Sequence, residues 1–173
     1  MKFINTNIAD VKIIEPEIFE DNRGYFFEFY NKKKFSDNGI NEIFLQSNHS
    51  KSIKHTLRGL HYQDPLAQGK LVRCIDGKIL DVAVDIRKDS NSFCDWVSVT
   101  LSSENRKQLY VPPGFAHGFL VLSKFAQVTY QCTELYNPKF DKGILWSDKK
   151  IGIDWGIDKP ILSQKDALLP LID

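Results

Sequence analysis

Between residues 44 and 133 the chain is a succession of short β-type segments cut apart by Gly, Pro, Asn, Asp and Ser, and no helical period competes over that span. Segments this short cannot bury an apolar face alone. They must pair, which predicts an all-β fold: a jelly-roll barrel, or a two-sheet sandwich that would read the same way. Strands are expected over 70–75, 79–86, 96–101, 107–111, 118–122 and 128–135, with turns at Asp76-Gly77, 102–105 and Pro112-Pro113-Gly114. In 79–86 the even positions Leu80, Val82, Val84 and Ile86 are apolar while Asp81 and Asp85 fall on the odd face, the pattern of a half-buried strand. A brief helix is expected over 31–38, the segment from 151 onward reads as irregular, and a last turn is expected near Lys165. With 173 residues and no linker or repeat, residues 1–173 are expected to form one domain with one site.

Charge narrows the partners. The 23 Lys and Arg and 22 Asp and Glu give a net charge of +1 and are dispersed, which argues against nucleic acid or a membrane surface. The first ten residues lack the apolar stretch of a signal peptide and no apolar run reaches spanning length, so a cytoplasmic protein is expected. Cys74, Cys94 and Cys132 are odd in number without C-x-x-C spacing, and reduced thiols are expected.

Reactive side chains fall on apolar faces of these strands. Tyr130 alternates with Val128 and Cys132, Lys70 with Val72 and Cys74, and His117 with Phe115, Phe119 and Val121, so all three should point inward. Each alone reads as something ordinary: a core tyrosine, a lysine at a strand end and a satisfied core histidine. Together they indicate a polar, ligand-filled cavity, because a lysine is almost never buried without a use. Leu57-Arg58-Gly59-Leu60-His61-Tyr62-Gln63 is the densest stretch. Strict alternation puts Arg58 and His61 on opposite faces, and a bulge at Gly59 would bring both to one cavity. Gln46 and Asn48 share a face and offer amides to a ligand.

Pro112-Pro113-Gly114-Phe115-Ala116-His117 is similar to the second short motif of metal-binding cupin barrels. The first such motif needs a second histidine and a glutamate, and Gln63 stands where that histidine belongs. Two histidines without the glutamate supply a first-row metal site poorly, so no metal is expected.

Eight ordered blocks, from Asp21-Asn22-Arg23-Gly24-Tyr25-Phe26-Phe27-Glu28 through Gln46-Ser47-Asn48 and Lys70-Leu71-Val72-Arg73-Cys74 to Leu162-Ser163-Gln164-Lys165-Asp166, closely resemble the dTDP-4-dehydrorhamnose 3,5-epimerase family. The resemblance implies a cupin-like jelly roll with short peripheral helices, a nucleotide-sugar substrate, no cofactor, and a homodimer that exchanges N-terminal strands. It implies that His61 is the base, Asp166 the carboxylate that orients it, Tyr130 the acid on the opposite face of the sugar, and Lys70 the cation beside the developing enolate. Arg23, Glu28, Gln46, Asn48, Arg58, His117 and Lys165 would contact the nucleotide, its diphosphate or the sugar, with Arg23 and Glu28 reaching across the dimer. Asp141 stands where the family usually has glutamate, which puts that contact in question. Tyr136 and Phe26 are aromatic surfaces for base or sugar, with core packing the preferred role. Such chemistry, taking a proton beside a ketone and returning one from the other side, needs a base, an enolate-stabilising cation and an acid, and no metal. A relative acting at only one carbon, a metal-dependent cupin and a non-catalytic binding module remain as alternatives.

Overall fold

The computed structural model describes residues 1–173. Numbered along the chain, six strands form one sheet in the order β1 (Lys2–Asn5), β2 (Lys12–Glu15), β10 (Gln108–Val111), β7 (Lys70–Asp76), β12 (Phe125–Cys132) and β5 (Gln46–Ile53). Five form the other: β13 (Asp141–Gly143), β6 (Leu57–Gln63), β11 (Phe115–Val121), β8 (Lys78–Asp85) and β9 (Trp96–Ser102). The named strands pair antiparallel, and the two sheets make the jelly-roll barrel. The hairpin β3 (Phe19–Asp21) and β4 (Gly24–Phe26) stands apart as a two-stranded sheet. Helices α1 (Lys32–Asp37) and α2 (Gln164–Ala167) lie where the sequence expects them. Both are capped, α1 by Asn31 and α2 by Ser163. No helix is long and apolar enough to cross a membrane.

Alternation builds three apolar layers. Val72, Cys74, Val128, Leu109 and Val111 of the larger sheet meet Ile79, Ala83, Phe115, Phe119 and Val121 of the smaller one inside the barrel. Outside the smaller sheet, Leu57, Leu60, Val82, Val84, Ala116 and Leu120 are covered by Ile144, Ile151 and Trp155. Outside the larger sheet, Phe35 of α1 and Ile40 cover Ile14, Leu71 and Tyr110.

Strand β8 corrects the half-buried reading. Both of its faces are buried, and the apolar even face turns outward beneath the C-terminal segment, while Asp81 and Asp85, each 0 % exposed, lie on the face with Ile79 and Ala83. The irregular chain beyond β13 supplies an apolar cover that local alternation does not reveal. Asp85 is saturated by Arg87, Ser90 and Ser92, whereas Asp81 bonds only His117. The last predicted strand also ends early, at Cys132. Beyond it, residues 133–137 form a loop fastened by Gln63, whose amide donates to the carbonyls of Leu66 and Leu135 and accepts the N–H of Asn137, and by Gln68, which donates to the carbonyl of Glu134.

Candidate active site

The site grows from an irregularity between β6 and β11. Arg58 faces Phe119 and His61 faces His117, so three steps along β6 match two along β11. This is the bulge expected at Gly59. Only glycine fits there: its φ is +124°, and a Cβ would stand 2.6 Å from the Cα of Gly118. The extra residue brings Arg58 and His61 to one cavity of about 200 Å³, shared with Ser50, Lys70, His117, Phe119 and Tyr130. A second lobe of about 330 Å³ shares His61, Lys70 and Tyr130 and adds Gln46, Asn48, Tyr136, Asp141 and Lys165 among its walls.

Nε2 of His61 lies 2.8 Å from Oδ1 of Asp166, whose side chain is 5 % exposed. Burial alone would raise the Asp166 carboxyl, but the bond and charge of His61, with the Gly59 N–H and the Ser163 hydroxyl, hold it below the usual carboxylate range. The carboxylate accepts the Nε2 proton, which leaves Nδ1 of His61 as the basic nitrogen. Lys70 is buried and donates to the His61 carbonyl at 3.2 Å; burial lowers its ammonium from the usual lysine value. Burial pushes the Tyr130 phenol up, followed by nearby Cys132, so the group carries its proton at neutral pH. On the inner face of β5, Gln46 donates to Asn48 at 2.9 Å and accepts the Tyr136 N–H at 2.8 Å, and Asn48 donates to Sγ of Cys132 at 3.6 Å.

Arg58 makes no ion pair. Its Nε donates to the Ser52 hydroxyl at 2.9 Å, which fixes the guanidinium plane and leaves the terminal nitrogens for an anion. Asp141 forms an ion pair with Lys165 and accepts the Tyr136 hydroxyl proton at 2.9 Å, so the shorter acid is already engaged on the lobe wall. Of the twelve expected site residues, nine line one lobe or both, Asp166 stands behind them bonded to His61, and two lie apart. Arg23 is 85 % exposed and paired with Asp21, and Glu28 is held by Lys34 and Asn31. The preference for packing fails at Tyr136, 52 % exposed on the lobe, and at Phe26, 70 % exposed on the hairpin: neither has an apolar layer of this chain against it. Ser52 and Gln68 escaped the sequence reading, Asp81 entered it only as a polar-face position and Gln63 only as a missing histidine, because nothing local shows what their side chains hold. Nowhere do three or more His, Cys, Asp or Glu side chains gather as a metal site.

A barrel with an oriented imidazole, a buried lysine and a protonated phenol around one cavity has close relatives. Residues 5–173 match the family described as dTDP-4-dehydrorhamnose 3,5-epimerase. This chain belongs to that family. It is 54 % identical over 168 residues to the dTDP-4-dehydrorhamnose 3,5-epimerase of Shigella flexneri, covering 96 % of this chain and 93 % of that one. Among solved structures of the family, the dTDP-6-deoxy-D-glucose-3,5-epimerase of Legionella pneumophila, in complex with dTDP-4-keto-L-rhamnose, superposes with a TM-score of 0.96 at 47 % identity, over 99 % of this chain and 92 % of that one. A 3′-monoepimerase from Streptomyces bikiniensis, in complex with dTDP-quinovose, has a TM-score of 0.90 at 31 % identity, covering 97 % and 86 %.

Proposed function

We propose that residues 1–173 act as a single epimerase domain that inverts carbons 3 and 5 of dTDP-4-dehydro-6-deoxy-D-glucose, giving dTDP-4-dehydro-L-rhamnose. The observation that carries this reading is the His61–Asp166 pair opening on the same cavity as Tyr130 and Lys70. His61 takes the proton beside the ketone through Nδ1, and Asp166 stabilises the imidazolium that results. Lys70 offers its ammonium to the enolate oxygen, and Tyr130 delivers a proton to the opposite face. Once Tyr130 has donated, the nearby Lys70 and Arg58 make its anion less costly. Epimerisation at both carbons is favoured over the single-carbon reading because identity to the 3,5-epimerases reaches 54 %, against 31 % for the 3′-monoepimerase.

The diphosphate is assigned to Arg58, with Gln46, Asn48, His117, Asp141 and Lys165 around the nucleotide and sugar. Arg23 and Glu28 join a site only if the β3–β4 hairpin docks on a second copy. The exposed Phe19, Tyr25 and Phe26 on that hairpin support a homodimer built this way. Incubation with the 4-keto sugar nucleotide in deuterated water tests the reading: label should enter carbons 3 and 5, with inversion at both. Label at one carbon alone would reassign the chain to a monoepimerase.

A further inference from the structure

Across the β6–β11 ladder from His61 stands its register partner, His117. Each imidazole is backed by a carboxylate, for Nε2 of His117 lies 2.8 Å from Oδ1 of Asp81. The barrel thus holds two His–Asp pairs side by side, and the proton transfers above use one. The second pair is the more deeply buried, with side chains 8 % and 0 % exposed. A carboxylate accepts and does not donate, so the shared proton sits on Nε2. Nδ1 of His117 has no partner within the chain and is the ring nitrogen left to the lobe that also holds Arg58 and Lys70. Scaffolding does not account for Asp81, because its Oδ2 is buried without a hydrogen bond, which costs folding free energy.

We infer that Asp81 is a positioning residue that holds His117 as the Nε2–H tautomer, so that Nδ1 accepts a hydrogen bond from a hydroxyl of the bound sugar rather than touching the diphosphate. The reason is complementarity. Phosphate oxygens are acceptors and find their donor in Arg58, whereas a sugar hydroxyl can donate to an unprotonated ring nitrogen. The inference rests on the reading that this cavity takes a sugar nucleotide, and it assigns His117 to the sugar end.

Two measurements test it together: ¹⁵N spectra of the histidine rings in the ligand-free wild type, and calorimetry of dTDP and of dTDP-glucose, which lacks the 4-ketone, with wild type, Asp81→Asn, His117→Ala and the double variant. The wild-type spectrum should show His117 protonated on Nε2 and bare on Nδ1. Asp81→Asn should hold dTDP affinity within about 2-fold while weakening dTDP-glucose roughly 3- to 10-fold, the usual range for one hydrogen bond. The double variant should bind dTDP-glucose no more weakly than His117→Ala, since Asp81 acts through that ring. An Nδ1–H tautomer, equal losses for both nucleotides, or additive losses would each overturn the inference. Should Asp81→Asn fail to fold, the wild-type spectrum and the selectivity of His117→Ala decide it. If the wild type binds neither nucleotide, the cavity reading fails and the hydroxyl assignment falls with it, while the spectrum still judges the tautomer.

Discussion

Oδ1 of Asp166 accepts from Nε2 of His61 at 2.8 Å across 105 positions of sequence. Both ends are fixed. His61 is laddered to β11 on one side and β13 on the other, and Asp166 sits in a turn whose Ser163 cap accepts its N–H at 3.0 Å. The base is therefore oriented before any substrate arrives.

Asp166→Asn should lower kcat on the order of 10²-fold or more with little change in KM, because the carboxylate acts on the cation that forms only as the proton is taken. Steady-state kinetics on the 4-keto sugar nucleotide measures the split. Wild-type kcat would leave Asp166 as a buried structural acid.

Tyr130→Phe should separate the two halves of proton transfer. With His61 intact, deuterium still exchanges at the carbon attacked and returns to the face it left, while inversion falls roughly 10²- to 10⁴-fold. His61→Ala should abolish exchange and inversion alike. NMR in deuterated water reads both, and equal losses in Tyr130→Phe would remove the phenol from the acid role.

Arg58→Ala should weaken dTDP by about 1.5–3 kcal/mol, the range for a hydrogen-bonded charged group. Its guanidinium has no carboxylate partner to release, so the loss should appear in binding rather than in folding. Calorimetry with dTDP gives the first quantity and thermal denaturation the second.

Lys70 should trade stability for chemistry. Burial lowers its ammonium, so between that lowered value and the unfolded value near ~10.4 the unfolded chain binds more protons, and this group's contribution to stability rises with pH across that window. Lys70→Met removes the slope and the desolvation, and should gain about 1–3 kcal/mol at neutral pH while losing turnover. Urea denaturation at neutral and alkaline pH checks both signs. A less stable variant would mean that the bond to the His61 carbonyl outweighs burial.

Exhaustive chelation should leave turnover intact. The ground is the donor set: His61 and His117 each give Nε2 to an aspartate, and Gln63 is committed to the 133–137 loop. Loss of activity restored by one divalent metal would overturn the metal-free mechanism.

Much of this site was legible from alternation alone. Lys70, His117 and Tyr130 stand on apolar faces of period two, and Gly59 between Arg58 and His61 announced a bulge that the register displays. What stayed hidden depends on distant chain. Nothing local says that Val82 and Val84 turn outward, because their cover is Ile144, Ile151 and Trp155. Asp166 came only from family resemblance, since no spacing rule links a turn to a strand so far upstream. Gln63 drew notice only as the residue in place of a metal-binding histidine, and neither it nor Gln68 announced the loop that their amides fasten. Arg23 and Glu28 show the limit in the other direction, being part of the family pattern yet outside the cavity of a single chain.

The segment that covers the smaller sheet leads on, through the Thr56–Ile161 bridge, to the turn bearing Asp166. Insulation of the barrel and orientation of its base are thus tied into one stretch of chain. A partial opening that peels this cover away would disconnect the carboxylate from His61 while the facing sheets still hold together, so in a denaturant titration the enzyme should fall silent before its β signal fades.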